Sequence, residues 1–231
     1  MGVGPGDPEL LTLKAARILQ ETQVIAAPVS QPDGDSYALS IASDFLNSQQ
    51  AVLKLHFPMV RDVATRTEHR RAAAQRLADE LTAGRDVAFL TEGDPLLHST
   101  FGHVLRHLPD ELPVEVIPGV SSITAAAAQM KKPLVNADQK LAIIPAASGN
   151  LPALRQALLD FDTVVLLKVN RVFDRLLDLL DDVGLLQQAA LVERASHAAG
   201  RVMTDIHELR GADVHYLSLL VVHTGKHDDE S

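Results

Sequence analysis

Short apolar runs of strand length alternate with longer segments of helical periodicity along this 231-residue chain. Runs of this length and composition are typical of strands in the core of a sheet. Helices that alternate regularly with strands favour an α/β fold with a substantially parallel sheet. The predicted strands are Val24–Pro28, Ala51–Phe57, Val87–Leu90, Val114–Ile117, Leu141–Pro145, Thr163–Leu167, Ala190–Val192 and Tyr216–Val222.

The connection Lys131–Gln139 is polar, contains a proline, and separates two halves that each repeat this alternation. We therefore predict two α/β domains, an N-terminal one over residues 1–136 and a C-terminal one over residues 137–231. The predicted helices are Glu9–Gln20, Tyr37–Leu46, Arg66–Thr82, a helix that starts at Pro95, Ile123–Met130, Leu151–Leu159 and Val172–Asp182.

The most informative junction is Val87–Phe101, where a predicted strand runs into a Thr-Glu-Gly-Asp-Pro turn. Asp94 is suited to cap a following helix, and Pro95 is suited to its first position. Ligands of open α/β sheets bind beside such turns, outside the carboxyl ends of the strands. A capped turn without a ligand has the same sequence pattern, so this junction alone leaves both interpretations open.

The segment Met1–Pro8 is rich in glycine, which allows tight turns and a close approach of the backbone to a ligand. It only partly matches the dinucleotide fingerprint G-x-G-x-x-G, because Asp7 replaces the last glycine and no strand precedes the segment. A dehydrogenase is therefore disfavoured. The pair Asp7-Pro8 instead predicts the start of a helix.

The composition limits the possible functions. The absence of cysteine excludes disulfides, thiolate catalysis and cysteine-ligated metals, and it fits a cytoplasmic protein. A net charge of −9 with only 3% aromatic residues speaks against nucleic-acid binding. No apolar run is long enough for a membrane span, and no secretory signal is visible. His103 and His107 have metal-ligand spacing on a helix, but no third ligand accompanies them, so no metal is predicted.

Four motifs occur in order along the chain, at Gly2–Asp7, Thr91–Pro95 with Ser99–Phe101, Pro118–Ser122 and Glu193–Ser196. Together they resemble the motifs of the S-adenosylmethionine-dependent tetrapyrrole (corrin and porphyrin) methylases. The resemblance covers essentially the whole chain, and four ordered motifs are far more specific than any one of them. It implies two α/β domains, S-adenosylmethionine bound in the cleft between them, and a homodimer.

Within this family, the chain is most similar to the members that methylate C20 of precorrin-2 or cobalt-factor II in cobalamin biosynthesis. The resemblance thus implies a C-methyltransferase with an anionic tetrapyrrole substrate, and it does not distinguish the free substrate from its cobalt complex. The segments that carry this closer similarity are Leu10–Ala15, Phe57–Met59, Gly93–Pro95 with Ser99–Phe101, and Val164–Val169.

The resemblance also implies cofactor contacts, motif by motif, at positions where a strand gives way to a loop. The turn after the third predicted strand is implied to act mainly through its backbone. The implied contacts are Pro5, Glu92, Gly93, Asp94, Pro95, Leu97, Ser121, Ser122, Lys168 and Ala195.

Methyl transfer from a sulfonium requires alignment of donor and acceptor and exclusion of water more than a nucleophile or a metal. A base that removes the C20 proton is not assigned, and His98, Asp7 and Glu92 are candidates by motif position. The carboxylates of the substrate predict basic partners. The candidate partners are Arg61, Arg66, Arg70 and Lys132.

Two features depart from the family pattern. Family members begin with an apolar strand before the glycine loop, whereas this sequence begins at Met1-Gly2, which predicts an N-terminal sheet that lacks a member. His98 stands where the family commonly has tyrosine, which affects turnover or preference if the side chain faces the substrate. The alternatives left open are another corrin-pathway methylase, a relative that acts on RNA or a modified histidine, and a non-catalytic S-adenosylmethionine-binding protein.

Overall fold

The computed structural model describes residues 1–225, and the chain divides into two compact units. The first unit is Met1–Ser121, and the second begins at Ser122. The sequence places the boundary later, after residue 136, but the helix Ser122–Met130 packs its apolar side chains in the second unit. Residues 226–231, the end of the predicted C-terminal domain, lie outside the described residues.

The first unit begins each of its three longer helices at a side-chain cap. Thr12, Ser36 and Asp62 each accept a hydrogen bond from a backbone N–H inside the helix that follows. Asp7 caps only a short 3₁₀ turn, so the first α-helix begins later than predicted. In chain order the elements are α1 (Leu13–Glu21), β1 (Val24–Val29), α2 (Tyr37–Ala42), β2 (Ala51–His56), α3 (Val63–Thr82), β3 (Val87–Phe89) and α4 (Phe101–Leu105).

The first sheet is parallel, with the strand order β2-β1-β3. Helices α1 and α2 pack on one face of the sheet, and α3 and α4 pack on the other. Because the strands are parallel, their carboxyl ends share one edge. The loops after Val29, His56 and Phe89 therefore begin at the same edge of the sheet.

The first residues of the chain extend this sheet beside β3. The Met1 ammonium donates to the Phe89 carbonyl oxygen at 2.9 Å, and the Thr91 N–H donates to the Met1 carbonyl oxygen at 2.9 Å. Burial lowers the pKa of the Met1 ammonium from 8.0 to about 6, while the charge of Asp94 opposes this change. These bonds anchor the glycine loop to the sheet.

The predicted strand Val114–Ile117 is not formed. A hydrogen bond from the Gly2 N–H to the Ile117 carbonyl oxygen, at 2.9 Å, joins this segment to the start of the chain. Val114 is exposed, however, and only the end of the segment is buried. Since a strand needs a neighbour that pairs along its length, one bond at its end does not create a ladder.

The helix predicted to start at Pro95 begins only at Phe101 and is five residues long. His98 adopts a left-handed backbone conformation, with φ of 53°. This conformation is incompatible with an α-helix. Residues 95–100 therefore form turns, which gives the chain a longer loop after β3 than the sequence predicts.

The second unit contains a mixed sheet of strand order β4-β5-β8-β6-β7, so the prediction of a substantially parallel sheet is wrong here. Only the β4–β5 pair is parallel. The short connection after β6 is too short for a helical crossover, so the unpredicted strand β7 returns antiparallel. The elements are α5 (Ser122–Met130), β4 (Leu141–Pro145), α6 (Leu151–Asp160), β5 (Thr163–Leu167), α7 (Phe173–Asp182), β6 (Ala189–Glu193), β7 (Arg201–Met203) and β8 (Ser218–His223).

Strands β5 and β6 end at the same edge of the second sheet. Both run antiparallel to β8, which lies between them. Leu167 at the end of β5 pairs with Leu219, and Glu193 at the end of β6 pairs with Ser218. The loops after β5 and β6 are therefore neighbours.

Candidate functional site

Three glycines from separate segments of the first unit pack against one another. A Cβ added to Gly119 would lie 2.2 Å from the Gly93 carbonyl oxygen and 2.8 Å from the Gly2 Cα. A Cβ added to Gly2 would lie 2.5 Å from the same oxygen. Gly93 itself has a φ of 65°, which favours glycine. The loop after β3 therefore has its position because none of the three residues carries a side chain.

Asp94 connects two of these segments. One carboxylate oxygen, Oδ1, accepts from the Leu96 N–H at 2.9 Å, and Oδ2 accepts from the Gly119 N–H at 3.1 Å. The predicted role of Asp94 as a helix N-cap is thus wrong, because no helix starts at Pro95. The carboxylate instead closes the turn and holds it against the loop that leads to Ser121.

Pro5 lies in a loop held against the same turn. The Gly93 N–H donates to the Gly4 carbonyl oxygen at 2.8 Å, and these two residues form an isolated β-bridge. The Tyr37 hydroxyl donates to the Pro5 carbonyl oxygen at 3.4 Å. Sequence reasoning missed Tyr37, which begins α2 and had no motif signal.

Thr91 and Glu92 carry polar groups that no hydrogen bond within residues 1–225 satisfies. The Thr91 hydroxyl is buried without a partner, which costs about 1–3 kcal/mol. The Glu92 side chain reaches solvent, yet the protein atoms around its carboxyl partly desolvate it and raise its pKa above 4.5. Both groups are available to a polar ligand.

The loop after Pro95 presents Leu97 and His98 to solvent. The Ser99 hydroxyl donates to the Pro95 carbonyl oxygen and tightens the loop. An exposed leucine beside a glycine turn is suited to contact an apolar part of a ligand. The first unit thus brings together the predicted residues Pro5, Glu92, Gly93, Asp94, Pro95 and Leu97, next to the loop that ends in Ser121.

In the second unit, the predicted residues Lys168 and Ala195 lie at or beside left-handed backbone positions. Lys168, directly after β5, has a φ of 58°. Arg194 and Ser196 flank Ala195 after β6, with φ values of 48° and 65°. Left-handed conformations at non-glycine residues cost about 1–3 kcal/mol each, and they cluster at active sites and ligand-binding loops.

Ala195 is buried in the apolar cluster that covers one face of the second sheet. The cluster also contains Ile123, next to Ser122 at the start of α5, and it is flanked by Leu167, next to Lys168. Three predicted residues, Ser122, Lys168 and Ala195, therefore belong to neighbouring segments of the second unit.

Gln129 on α5 is a residue that sequence reasoning missed. Its Oε1 accepts from the Ser196 N–H at 3.2 Å, and its Nε2 lies against Gly200. It thus fixes the loop that follows β6. The available signal was its position as a lone amide after a run of alanines.

Glu193 supports the same loop from the end of β6. The carboxylate is nearly buried, with 7% of its side chain exposed, and pairs with Arg201 through Oε2. Its Oε1 accepts from the His215 N–H at 2.9 Å. Burial acts to raise the pKa of Glu193, but the hydrogen bonds from His215 and Arg201 and the positive charges nearby outweigh it and lower the pKa.

The three candidate bases have different surroundings. One Asp7 oxygen accepts from the Glu9 N–H at 2.9 Å, so this carboxylate serves as a cap. His98 is exposed on its loop. Glu92 combines an exposed side chain with a raised pKa, so its carboxylate is a stronger base than that of an ordinary glutamate.

Within residues 1–225, no group of three or more His, Asp or Glu side chains is arranged to hold a metal ion. None of the helices in this part of the chain is long and apolar enough to cross a membrane.

A family model described as Tetrapyrrole (Corrin/Porphyrin) Methylases matches residues 1–209. The chain belongs to the tetrapyrrole methylase family. The match includes all four motifs described above, and it confirms the resemblance on which the predicted site rests.

Similarity to individual methylases extends over most of the chain. Cobalt-precorrin-2 C(20)-methyltransferase of Salmonella typhimurium is 37% identical over 209 residues, which cover 90% of this chain and 88% of that protein. The cobalamin biosynthesis protein CobIJ of Mycobacterium tuberculosis is 37% identical over 98% of this chain, but the chain spans only 46% of that longer protein.

A solved structure supports the α/β fold of the methylase. Uroporphyrin-III C-methyltransferase from Thermus thermophilus, in complex with S-adenosyl homocysteine, is 25% identical, with a TM-score of 0.68. The similarity covers 96% of this chain and 90% of that one. The predicted fold class is confirmed.

We predict that Gly119→Ala distorts the loops around Gly93, because its Cβ would overlap the Gly93 carbonyl oxygen. The expected loss is about 1–3 kcal/mol in the free energy of unfolding, measured by urea denaturation. Gly102→Ala is the matched control, since a Cβ at Gly102 meets nothing within 4 Å. Equal stability of the two variants would contradict the close contact.

We also predict that Glu193 makes stability depend on pH. Its pKa is lower in the folded state than its ordinary value of 4.5. The stabilisation is therefore fully present above about pH 4.5 and is lost as the pH falls through the lower pKa of the folded state. Glu193→Gln should remove this part of the pH dependence of the unfolding free energy. An unchanged profile would show that Glu193 is not held as a carboxylate.

Proposed function

We propose that this chain is an S-adenosylmethionine-dependent methyltransferase that methylates C20 of precorrin-2 or its cobalt complex in cobalamin biosynthesis. The observation that carries the proposal is the 37% identity to cobalt-precorrin-2 C(20)-methyltransferase, which extends over 90% of this chain. This near full-length similarity favours C20 methylation over another corrin-pathway methylase and over a non-catalytic binding protein. The proposal includes a cytoplasmic homodimer.

The loops of this chain fit a cofactor of this kind. S-adenosylmethionine supplies an electrophilic methyl group on a sulfonium. The buried Thr91 hydroxyl lacks a hydrogen-bond partner within residues 1–225, so a polar ligand group would offset its desolvation. We propose that the cofactor contacts are those implied by the motifs, namely Pro5, Glu92, Gly93, Asp94, Pro95, Leu97, Ser121, Ser122, Lys168 and Ala195.

The residues of the chain would contribute mainly by orienting the ligand and excluding water from it. The backbone of the Glu92–Pro95 turn is fixed by the glycine contact and by Asp94, so its N–H and carbonyl groups are oriented before a ligand arrives. Preorganised dipoles of this kind cost no rearrangement during the reaction. The exposed Leu97 would cover apolar parts of the ligand and displace water.

A proton must leave C20 after methyl transfer, and we propose Glu92 as its acceptor. Its raised pKa makes the carboxylate a stronger base than an ordinary glutamate. Asp7 is less suited, because its carboxylate already accepts the Glu9 N–H.

Incubation of the purified protein with methyl-labelled S-adenosylmethionine and either precorrin-2 or cobalt-factor II tests the activity. We expect label to appear at C20 of one of the two tetrapyrroles, as resolved by mass spectrometry and ¹³C NMR. Label at another ring carbon would favour a different corrin-pathway methylase. Micromolar binding of S-adenosylmethionine without any transfer would favour a non-catalytic binding protein.

The proposed cofactor turn can be tested without disturbing the glycine contact. Leu97 and Leu96 are adjacent and both exposed, at 38% and 63%. Leu97→Asp should weaken S-adenosylmethionine binding by about tenfold or more, because burial of a leucine side chain is worth about 1.5–3 kcal/mol. Leu96→Asp, the matched control, should bind normally. Calorimetry measures both, and equal affinities would exclude Leu97 as a contact.

Gly93→Leu is a less specific test, because leucine strains a backbone with a φ of 65°. Its loss of binding would reflect a displaced turn as much as a lost contact. Normal binding by Gly93→Leu would nevertheless show that the turn does not contact the cofactor.

A further inference from the structure

Three arginines of the first unit converge on one side of its sheet. Arg66 and Arg70 are four residues apart on α3, so they lie on the same side of the helix. Further along the same side of α3, residues of Ala73–Leu77 pack in the core. The two arginines therefore lie between the start of the helix and these buried residues. Arg106 directly follows α4, which packs against α3. The guanidinium groups are thus placed at one end of a helix pair.

These guanidinium groups have no acidic partner within residues 1–225, since no carboxylate there forms an ion pair or hydrogen bond with them. The Nε of Arg66 is buried and lacks any hydrogen bond. The main partner of Asp62 is the Thr65 N–H, whose hydrogen bond lowers the pKa of the Asp62 carboxyl, and the nearby Arg66 charge acts in the same direction.

A surface role does not account for this arrangement. Arginines at the rim of a core often cover it with their stems and keep their charged groups in water. A buried Nε without a partner is unfavourable in that arrangement, because it loses its hydration and gains nothing in return. An anion that accepts from Arg66 would remove this cost.

The charges also repel one another. Partial burial lowers the pKa of Arg70, and the positive charges of Arg66 and Arg106 lower it further. The chain as a whole is acidic, with a net charge of −9, so an uncompensated basic cluster is unusual on this protein. A bound anion relieves both the repulsion and the desolvation.

The cluster lies at the same edge of the sheet as the Thr91–Pro95 turn. Helix α3 follows β2, and its early turns stand beside the end of that strand, where the His69 and His56 rings are 4.7 Å apart. The turn follows β3 in the same parallel sheet. Neighbouring strands are about 4.8 Å apart, so the ends of β2 and β3 are separated by about 10 Å. One broad ligand can extend from the turn toward the arginines.

We infer that Arg66, Arg70 and Arg106 form a subsite that binds the carboxylate arms of the tetrapyrrole. The inference rests on the proposed function and adds a specificity-determining role for residues outside the cofactor motifs. Guanidinium groups bind carboxylates through paired N–H donors, so the three arginines together can hold two adjacent acetate or propionate groups. Of the basic residues suggested by the sequence, Arg61 and Lys132 are not part of this cluster.

The test compares Arg66→Gln, Arg70→Gln, Arg106→Gln and the triple variant with Arg71→Gln. Arg71 is the matched control, because it neighbours Arg70 on α3 but is exposed and lies outside the cluster. Binding of precorrin-2 is measured anaerobically by its absorbance, with S-adenosylhomocysteine present to prevent turnover. Binding of S-adenosylhomocysteine alone is measured by calorimetry, and circular dichroism verifies the fold.

Each single variant should weaken precorrin-2 binding about tenfold, and the triple variant by about 100-fold or more, because charge-assisted hydrogen bonds are lost. Arg71→Gln and all affinities for S-adenosylhomocysteine should stay unchanged. Arg70→Lys should restore part of the loss, since lysine keeps the charge without the paired donors.

Two negative results have different meanings. If the wild type neither binds nor methylates precorrin-2 or its cobalt complex, the proposed function is wrong and the subsite falls with it. If the wild type methylates its substrate and the folded triple variant binds that substrate as Arg71→Gln does, the subsite alone is overturned.

Discussion

The Gly93 carbonyl oxygen occupies a space that is open only because Gly2 and Gly119 carry no side chains. This contact joins the start of the chain, the turn after β3 and the loop that leads to Ser121. Hydrogen bonds from Gly93 to Gly4 and from Gly119 to Asp94 fix their mutual orientation. The part of the proposed site in the first unit therefore depends on the absence of side chains at Gly2 and Gly119. The positions of the loops around Gly93 follow from this contact.

The second unit reaches a comparable rigidity by another route. Lys168, Arg194 and Ser196 are held in left-handed conformations at the edge where β5 and β6 end. Such conformations persist only when the surroundings enforce them. Glu193 and Gln129 supply that enforcement for the loop after β6 through their hydrogen bonds. The conformation of the loop after β6 thus depends on Glu193 and Gln129 as well as on the residues of the loop itself.

The sequence predicted the elements whose signal is local. The apolar runs at β1, β4 and β5 needed no tertiary information, whereas the caps Thr12, Ser36 and Asp62 were not predicted. The α/β fold and the family were confirmed. Val114–Ile117 failed as a strand because a strand depends on its neighbour, which periodicity does not report.

Predictions also failed where a side chain can bond either to a residue nearby in sequence or to a distant one. Asp94 followed by Pro95 is a strong start signal for a helix, but its carboxylate bonds Gly119, which is distant in sequence. The antiparallel direction of β8 and the cluster completed by Arg106 likewise depend on contacts between distant residues. The site residues implied by the motifs remain predictions, although the structure places them on neighbouring loops within each unit.

The hydrogen bond between Met1 and Phe89 closes a loop of 88 residues. Contacts between residues so far apart form late in folding, because the entropy of closing the loop must be overcome first. A ribosome must release residue 119 before the glycine contact can close, so this contact cannot form while the first unit is still being synthesised. Partial opening of residues 1–4 would break the glycine contact, and it would also expose Met1 and Val3, which belong to the buried core of the first unit.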